Sequence, residues 1–185
     1  MSEFYELVTA GPSPVSLADV KTYLKNPPSA DDDVIQVMID ACTEWGEKWT
    51  GREFRANQWN LFLDCFTTRI QINRDPVDTI NSISHLVSSS PVTIDSSIYY
   101  LKKATQFSEI LLFEDESWPT DTDEREQAIT IDFTTEQYRC GNTIENGIKR
   151  HVAFWYANRG DCSDCDSAAT GAGMKSLYNF RIARV

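Results

Sequence analysis

The spacing of apolar side chains changes twice along this chain, and these changes limit its fold more than any other feature. From residue 34 to 49 they recur every three or four positions, as in a helix that is buried on one face. These are Val34, Met38, Ala41, Trp45 and Trp49, with Ile35, Ile39 and Cys42 widening the face. From residue 58 the spacing becomes two, as in a strand, and from residue 144 to 155 the helical spacing returns. The pattern predicts an α+β fold.

Local signals mark where the helices begin and end. Ser16 followed by Asp19 is typical of a capped helix start, and Pro27 and Pro28 end that helix. Asp31–Asp33 place negative charge at the next helix start, and Gly51 is a typical stop. Helices are therefore predicted over about 16–26, 32–50 and 143–158. The first two form a helical hairpin, and the third completes a small bundle.

Short runs of alternating apolar residues lie between the second and third helices, within residues 57–134. They predict a small, mostly antiparallel sheet inserted into the helical bundle. The runs are 58–63, 70–72, 80–87, 98–101, 110–113 and 128–133. The acidic segment Glu114–Glu126 is expected to be a long exposed loop within this sheet. Trp118 in that loop fits a core position and a contact position equally well, and it is one of the predicted partner contacts.

The C-terminal part of the chain differs from the rest in composition. Residues 160–174 are rich in Gly, Ser, Ala and Asp, which predicts a flexible linker. The segment after it carries +3 of the net charge of −11, which leaves −14 on the rest. We predict one domain over 1–160 and a linker with an extended docking tail over 161–185; the alternative is a tail packed on its own domain. The tail residues expected at a partner interface are Lys175, Leu177, Tyr178, Phe180, Arg181, Ile182 and Arg184.

The residue types needed for catalysis do not occur in a recognisable arrangement. The acids show no spacing that selects a catalytic pair: Asp31–Asp33 are explained by the helix start, and Glu44 and Glu47 by a solvated or interface face. Only two histidines occur, and there is no nucleophile elbow or phosphate-binding loop. The sequence therefore predicts a protein that is not an enzyme and needs no cofactor.

Cysteines, charge and hydropathy limit the remaining classes. Cys162 and Cys165 form a single C-x-x-C pair, so no metal is expected; a makeshift zinc site with His151 and Cys140 is the alternative. No stretch reaches the roughly 20 apolar residues that span a bilayer, and no secretion signal is recognised, so we expect reduced thiols and no membrane partner. The acidic charge opposes sequence-specific binding of nucleic acid.

The stretch Val15–Lys25, VSLADVKTYLK, resembles the first helix of the head-tail connector proteins of long-tailed bacteriophages. That family continues with an acidic turn and a helix that ends in an aromatic-T-G-R corner, which corresponds here to Trp49–Arg52. Further matches follow in the same order over roughly residues 15–160. They include Trp59, Phe66, Pro76-Val77, Trp118-Pro119, Ile129–Phe133 and Asn158-Arg159.

The resemblance implies a structural virion protein, assembled in the host cytoplasm and located in the neck. It implies a ring, expected to contain twelve copies, that lies beneath the portal protein and binds it. The ring extends the channel for double-stranded DNA and binds the next neck or tail protein. The alternatives are another neck component, such as a stopper or tail-completion protein, and a small ligand-binding domain.

Overall fold

The computed structural model describes residues 3–103, 107–138, 142–158 and Leu177. The chain divides into two compact units. The sheet unit comprises Met1–Gly11 and Arg55–Gln137, and the helical unit comprises Pro12–Phe54 and Tyr138–Val185. A fold with three helices and two antiparallel sheets in the described residues confirms the mixed α and β class.

The described part of the helical unit contains three helices: α1 (Leu17–Tyr23), α2 (Asp32–Thr50) and α3 (Asn142–Ala157). α1 begins as expected, because the Ser16 hydroxyl accepts a hydrogen bond from the Asp19 backbone N–H at 3.1 Å. α2 ends at Gly51, whose φ of 73° is the left-handed conformation that glycine adopts without strain. None of the helices in the described residues is long and apolar enough to cross a membrane.

The buried face of α2 is centred one residue away from the predicted one. Ile35, Ile39 and Cys42 are fully buried, whereas Val34 is exposed and Trp45 is only partly buried. The shift arises because a search for apolar side chains misses the small or polar residues on the buried face. These residues are Thr43, Gly46, Glu47 and Thr50. Together with residues of α1 and α3, this face forms one hydrophobic core.

The prediction that Glu47 lies on a solvated or interface face is wrong. Its side chain is buried, and Oε1 accepts a hydrogen bond from the Phe54 backbone N–H at 2.9 Å. A carboxylate thus satisfies a backbone donor just beyond the helix end. Glu44 does lie on the exposed side of α2, where it pairs with Lys48 at 2.6 Å.

The sheet unit contains eight described strands in two antiparallel sheets. The larger sheet has the order β1-β2-β8-β4-β5, and the smaller has the order β3-β7-β6. The strands are β1 (Glu3–Thr9), β2 (Gln58–Leu63), β3 (Arg69–Ile72), β4 (Val77–Val87), β5 (Ser90–Thr93), β6 (Tyr99–Lys102), β7 (Ser108–Leu112) and β8 (Ile129–Thr135). Side chains from both sheets share one core, which includes Leu61, Ile72, Ile83, Ile110 and Ile131.

The single sheet expected from the sequence is corrected to two sheets, and two of their strands were not predicted. β1 pairs with β2, about 50 to 60 residues away in the sequence, and its apolar residues do not alternate cleanly. β5 has only four residues, all exposed, and contains Pro91. Neither strand has the alternating burial on which the prediction depended.

Candidate functional site

Two loops of the sheet unit form an open cleft of about 840 Å³. The first loop is residues 64–68, between β2 and β3, and the second is the acidic segment Glu114–Glu126, between β7 and β8. The second loop has no helix or strand, and most of its residues are exposed, as predicted. The cleft is therefore built from segments about 50 residues apart in the sequence.

Trp118 forms a fixed wall of this cleft. Its ring stacks on Phe66 with centroids 4.7 Å apart and lies 6.2 Å from the ring of Tyr99. Its indole N–H donates a hydrogen bond to the Thr67 carbonyl oxygen at 2.9 Å. Two aromatic rings and one hydrogen bond thus hold the indole in place, and its side chain is only partly buried.

The charge of the cleft lining is strongly negative. Arg125 is the one basic residue among the residues that line the cleft. Five carboxylates line it: Asp64, Glu116, Asp123, Glu124 and Glu126. These side chains give a net charge of −4 at neutral pH. The potential therefore favours a cationic partner and repels phosphate.

Asp123 fixes the acidic segment to the sheet. Its two carboxylate oxygens accept hydrogen bonds from the backbone N–H groups of Ser88 and Ser89 at 2.8 Å and 2.7 Å. Both serines have positive φ, as the tight turn between β4 and β5 requires. The Asp123 backbone N–H also donates to the Leu86 carbonyl oxygen at 2.8 Å. The loop is thus exposed but anchored near its middle.

His85 lies beneath the cleft and has a structural environment. Its side chain is buried in β4, and Nδ1 lies 3.0 Å from the Thr122 hydroxyl oxygen. Its ring is 6.2 Å from the ring of Phe66. The contacts of His85 thus join the sheet to the acidic segment.

His151 is buried in the core of the helical unit. Its ring stacks on Trp45 at 6.0 Å and lies 4.7 Å from Trp155. Neither ring nitrogen has a hydrogen-bond partner among the described residues. Burial away from water lowers the pKa of His151, because the charged form loses its hydration.

The residues predicted at a partner interface fall into three groups. Trp118 lies at the cleft, as described above. Leu177 is fully buried in the core of the helical unit, and a Cβ atom at Gly46 would lie 3.5 Å from its Cδ1. Cys162 and Cys165 lie outside the described residues. The remaining predicted interface residues lie outside them too: Lys175, Tyr178, Phe180, Arg181, Ile182 and Arg184.

No group of three potential metal ligands occurs among the described residues. Two cysteines lie in the part of the chain that the structure describes: Cys65 is exposed at the cleft, and Cys42 is buried in the helical unit. Burial raises the pKa of the Cys42 thiol to about 12. A thiol with such a pKa is a poor nucleophile at neutral pH.

The corner Trp49–Arg52, which carries part of the family resemblance, has a structural role. The Thr50 hydroxyl donates to the Gly46 carbonyl oxygen at 2.8 Å, and the Gly51 N–H donates to the Glu47 carbonyl oxygen at 2.9 Å. The guanidinium of Arg52 lies 4.4 Å from the centre of the Tyr138 ring. These contacts end α2 and direct the chain into the sheet unit.

Comparison with solved structures shows the same fold in chains of phage-like particles. One such chain belongs to the neck of an empty gene transfer agent (GTA) particle computed with C6 symmetry. It is 16% identical, has a TM-score of 0.80, and the match covers 98% of this chain and 97% of that one. A chain from the virion of a native GTA particle is 16% identical with a TM-score of 0.75, over 98% and 96% of the two chains.

A third match, to the neck of a native GTA particle computed with C12 symmetry, is 17% identical with a TM-score of 0.67, over 98% and 97% of the two chains. No protein-family model and no curated protein matches the sequence.

Proposed function

We propose that this chain is a structural subunit of a virion neck, and specifically a head-tail adaptor that forms a ring beneath the portal protein. The observation that carries the proposal is the likeness of fold to neck chains of GTA particles over nearly the full length of both chains. The ordered sequence matches to phage head-tail connectors support the same assignment independently.

A mechanical role agrees with the physical chemistry of the chain. An adaptor binds its neighbours and holds a channel open, which requires surfaces rather than a reactive centre. The net charge of −11 suits a conduit for DNA, because a wall that repels phosphate lets the polymer slide without sticking. In this proposal the acidic segment faces the channel or a neighbouring copy.

We further propose a ring of twelve copies that binds the portal on one side and the next neck or tail protein on the other. The matched GTA necks were computed with C6 and C12 symmetry, and a twelve-copy ring is compatible with both. The ring is located in the neck of the virion after assembly in the host cytoplasm. DNA passes through it without sequence-specific contacts.

The test is electron microscopy of the purified full chain, alone and mixed with the portal protein from the same genome. We expect rings whose axis coincides with that of the portal. An adaptor binds a portal that carries no other neck protein, whereas a stopper or tail-completion protein binds only after an adaptor is in place. A chain that remains monomeric and leaves the portal unbound under all these conditions contradicts the proposal.

The volume of the acidic cleft supports one alternative, a small-ligand-binding domain, because ligand pockets commonly measure about 300–1,000 Å³. The cleft is open and rich in carboxylates, so its ligand would be cationic. Thermal unfolding with a polyamine such as spermine tests this alternative. A saturable rise in melting temperature that the Glu116→Gln variant abolishes supports a ligand site.

A further inference from the structure

Strand β1 lies at one edge of the larger sheet. It lies at the end of the strand order, pairs only with β2 among the described residues, and has six of its seven residues exposed. Three of the exposed side chains are large and apolar: Phe4 (50%), Leu7 (43%) and Val8 (48%). A long apolar strand at the edge of a sheet is a template for another strand.

The other edges in the sheet unit carry features that discourage such pairing. β5 has four residues and includes Pro91, β3 carries Arg69, and β6 carries Lys102. Proteins protect edges with short strands, proline and basic side chains of this kind. β1 has seven residues and contains no proline, lysine or arginine. It is thus the edge of the sheet unit best suited to accept a strand.

The charge of β1 selects its occupant. The Glu6 carboxylate has no hydrogen bond or ion pair with a side chain of any described residue, and the Glu3 carboxylate accepts a hydrogen bond from the Asn73 side chain at 3.0 Å. A second β1 strand would bring two more acids and no base, so a symmetric pair would leave these carboxylates without a basic partner. The complementary segment of the same chain is 178–184, which contains Arg181 and Arg184 and no acid.

The pattern of segment 178–184 fits the faces of β1. Tyr5 and Leu7 pair with Leu61 and Trp59 of β2, whose side chains belong to the buried core, and Glu6 lies on the opposite face. In the segment, apolar residues alternate with polar or small ones: Tyr178, Phe180 and Ile182 against Asn179, Arg181 and Ala183. Laid beside β1, the apolar row continues the core face, and Arg181 faces Glu6.

We propose that β1 accepts segment 178–184 of a neighbouring copy as an added strand. The proposal rests on the ring assembly proposed above, because rings are built from contacts between two different surfaces of one chain. Buried Leu177 anchors the segment to the helical unit of the donor copy. The eight residues after it can extend about 26 Å, and the seven residues of β1 span about 23 Å.

The test is disulfide trapping between two populations of the full chain. One population carries Leu7→Cys, and the other carries Phe180→Cys and an N-terminal mass tag. In both, Cys65, Cys140, Cys162 and Cys165 are replaced by Ser, and circular dichroism checks the fold; buried Cys42 is retained. A matched control replaces Leu7→Cys with Val92→Cys, which is equally exposed at 44% but lies on β5.

We expect a cross-linked band of mixed mass with Leu7→Cys, and none with Val92→Cys. Three results overturn the proposal. The first is that the Leu7→Cys mixture gives no mixed band, or only a band between two Leu7→Cys chains; the second is that Val92→Cys gives a mixed band as strong as that of Leu7→Cys. The third comes from a further variant that carries Leu7→Cys and Phe180→Cys together, and it is a disulfide within a single chain. The last result means that each tail covers its own β1.

A charge exchange adds a second measurement. Glu6→Lys or Arg181→Glu alone should lower the yield of the mixed band roughly threefold, and the two together should restore it. Equal yields in all variants contradict the register. Imaging of the same samples separates the two proposals: rings without the mixed band refute the added strand and leave the adaptor function standing. The mixed band without rings on any portal refutes the adaptor function alone.

Discussion

Replacing Ile39 with alanine removes a side chain from the centre of the core of the helical unit. Ile39 is fully buried, and the same core contains residues of all three helices. Such a truncation costs the transfer free energy of the lost methyl groups plus the cost of the cavity, about 2 to 5 kcal/mol. For a chain of this size, a loss of 3 kcal/mol corresponds to a fall of roughly 6–12 °C in melting temperature.

Val37 provides a matched control on the same helix. It is also β-branched, but 68% of its side chain is exposed, so Val37→Ala should change the free energy of unfolding by only a few tenths of a kcal/mol. Urea unfolding followed by tryptophan fluorescence measures both variants, because Trp45 and Trp155 lie in the helical unit. Equal shifts of the two midpoints would refute the assignment of the buried face.

Three further predictions use single side chains. At pH 8, maleimide should modify Cys65 in the folded protein and Cys42 only after denaturation; modification of both at one rate contradicts the burial of Cys42. Folding lowers the pKa of His151, so protonation favours the unfolded state. The free energy of unfolding should therefore fall as pH drops from about 6.5 through the pKa of the folded state. The slope should be at most about 1.4 kcal/mol per pH unit. His151→Phe should flatten this dependence in denaturant titrations at pH 5–7, and an unchanged slope argues against it. Asp123→Ala should speed amide exchange at Ser88 and Ser89, whereas the exposed control Glu124→Ala should leave both rates unchanged.

Local signals in the sequence placed the start of α1 and the end of α2. The predicted end of the first helix at residue 26 is wrong: α1 ends at Tyr23, because Lys25 and Asn26 have positive φ and leave the helical conformation before the prolines. Ser16 caps α1 and Gly51 ends α2 through contacts within a few residues, so both boundaries could be predicted from short patterns. The orientation of α2 needed more than hydrophobicity. Gly46 lies on the buried face because a Cβ atom there would come within 2.7 Å of Phe54, a requirement that no apolar pattern contains.

The sheet and the cleft depended on contacts that are distant in the sequence. β1 is a strand only because β2 is available to pair with it, and its own residues do not alternate in burial. Trp118 was identified as a contact candidate, but its hydrogen bond to Thr67 crosses 51 residues. The cleft could therefore not be predicted from either loop alone.

The residues that carry the family resemblance maintain the fold, whereas the residues on the candidate surfaces are available for contacts with partners. Ser16, Gly51 and Arg52 cap helices and fix a corner, so their recurrence in a family reports a shared fold. The exposed side chains of β1 and of the acidic segment stabilise the isolated chain little, so their composition is free to follow the partner. In the assembly proposed above, β1 contacts a neighbouring copy, and the acidic segment faces the channel or a neighbouring copy. Substitutions at exposed positions of β1 and residues 114–126 should therefore change ring assembly with little effect on stability, while substitutions in the corner should change stability.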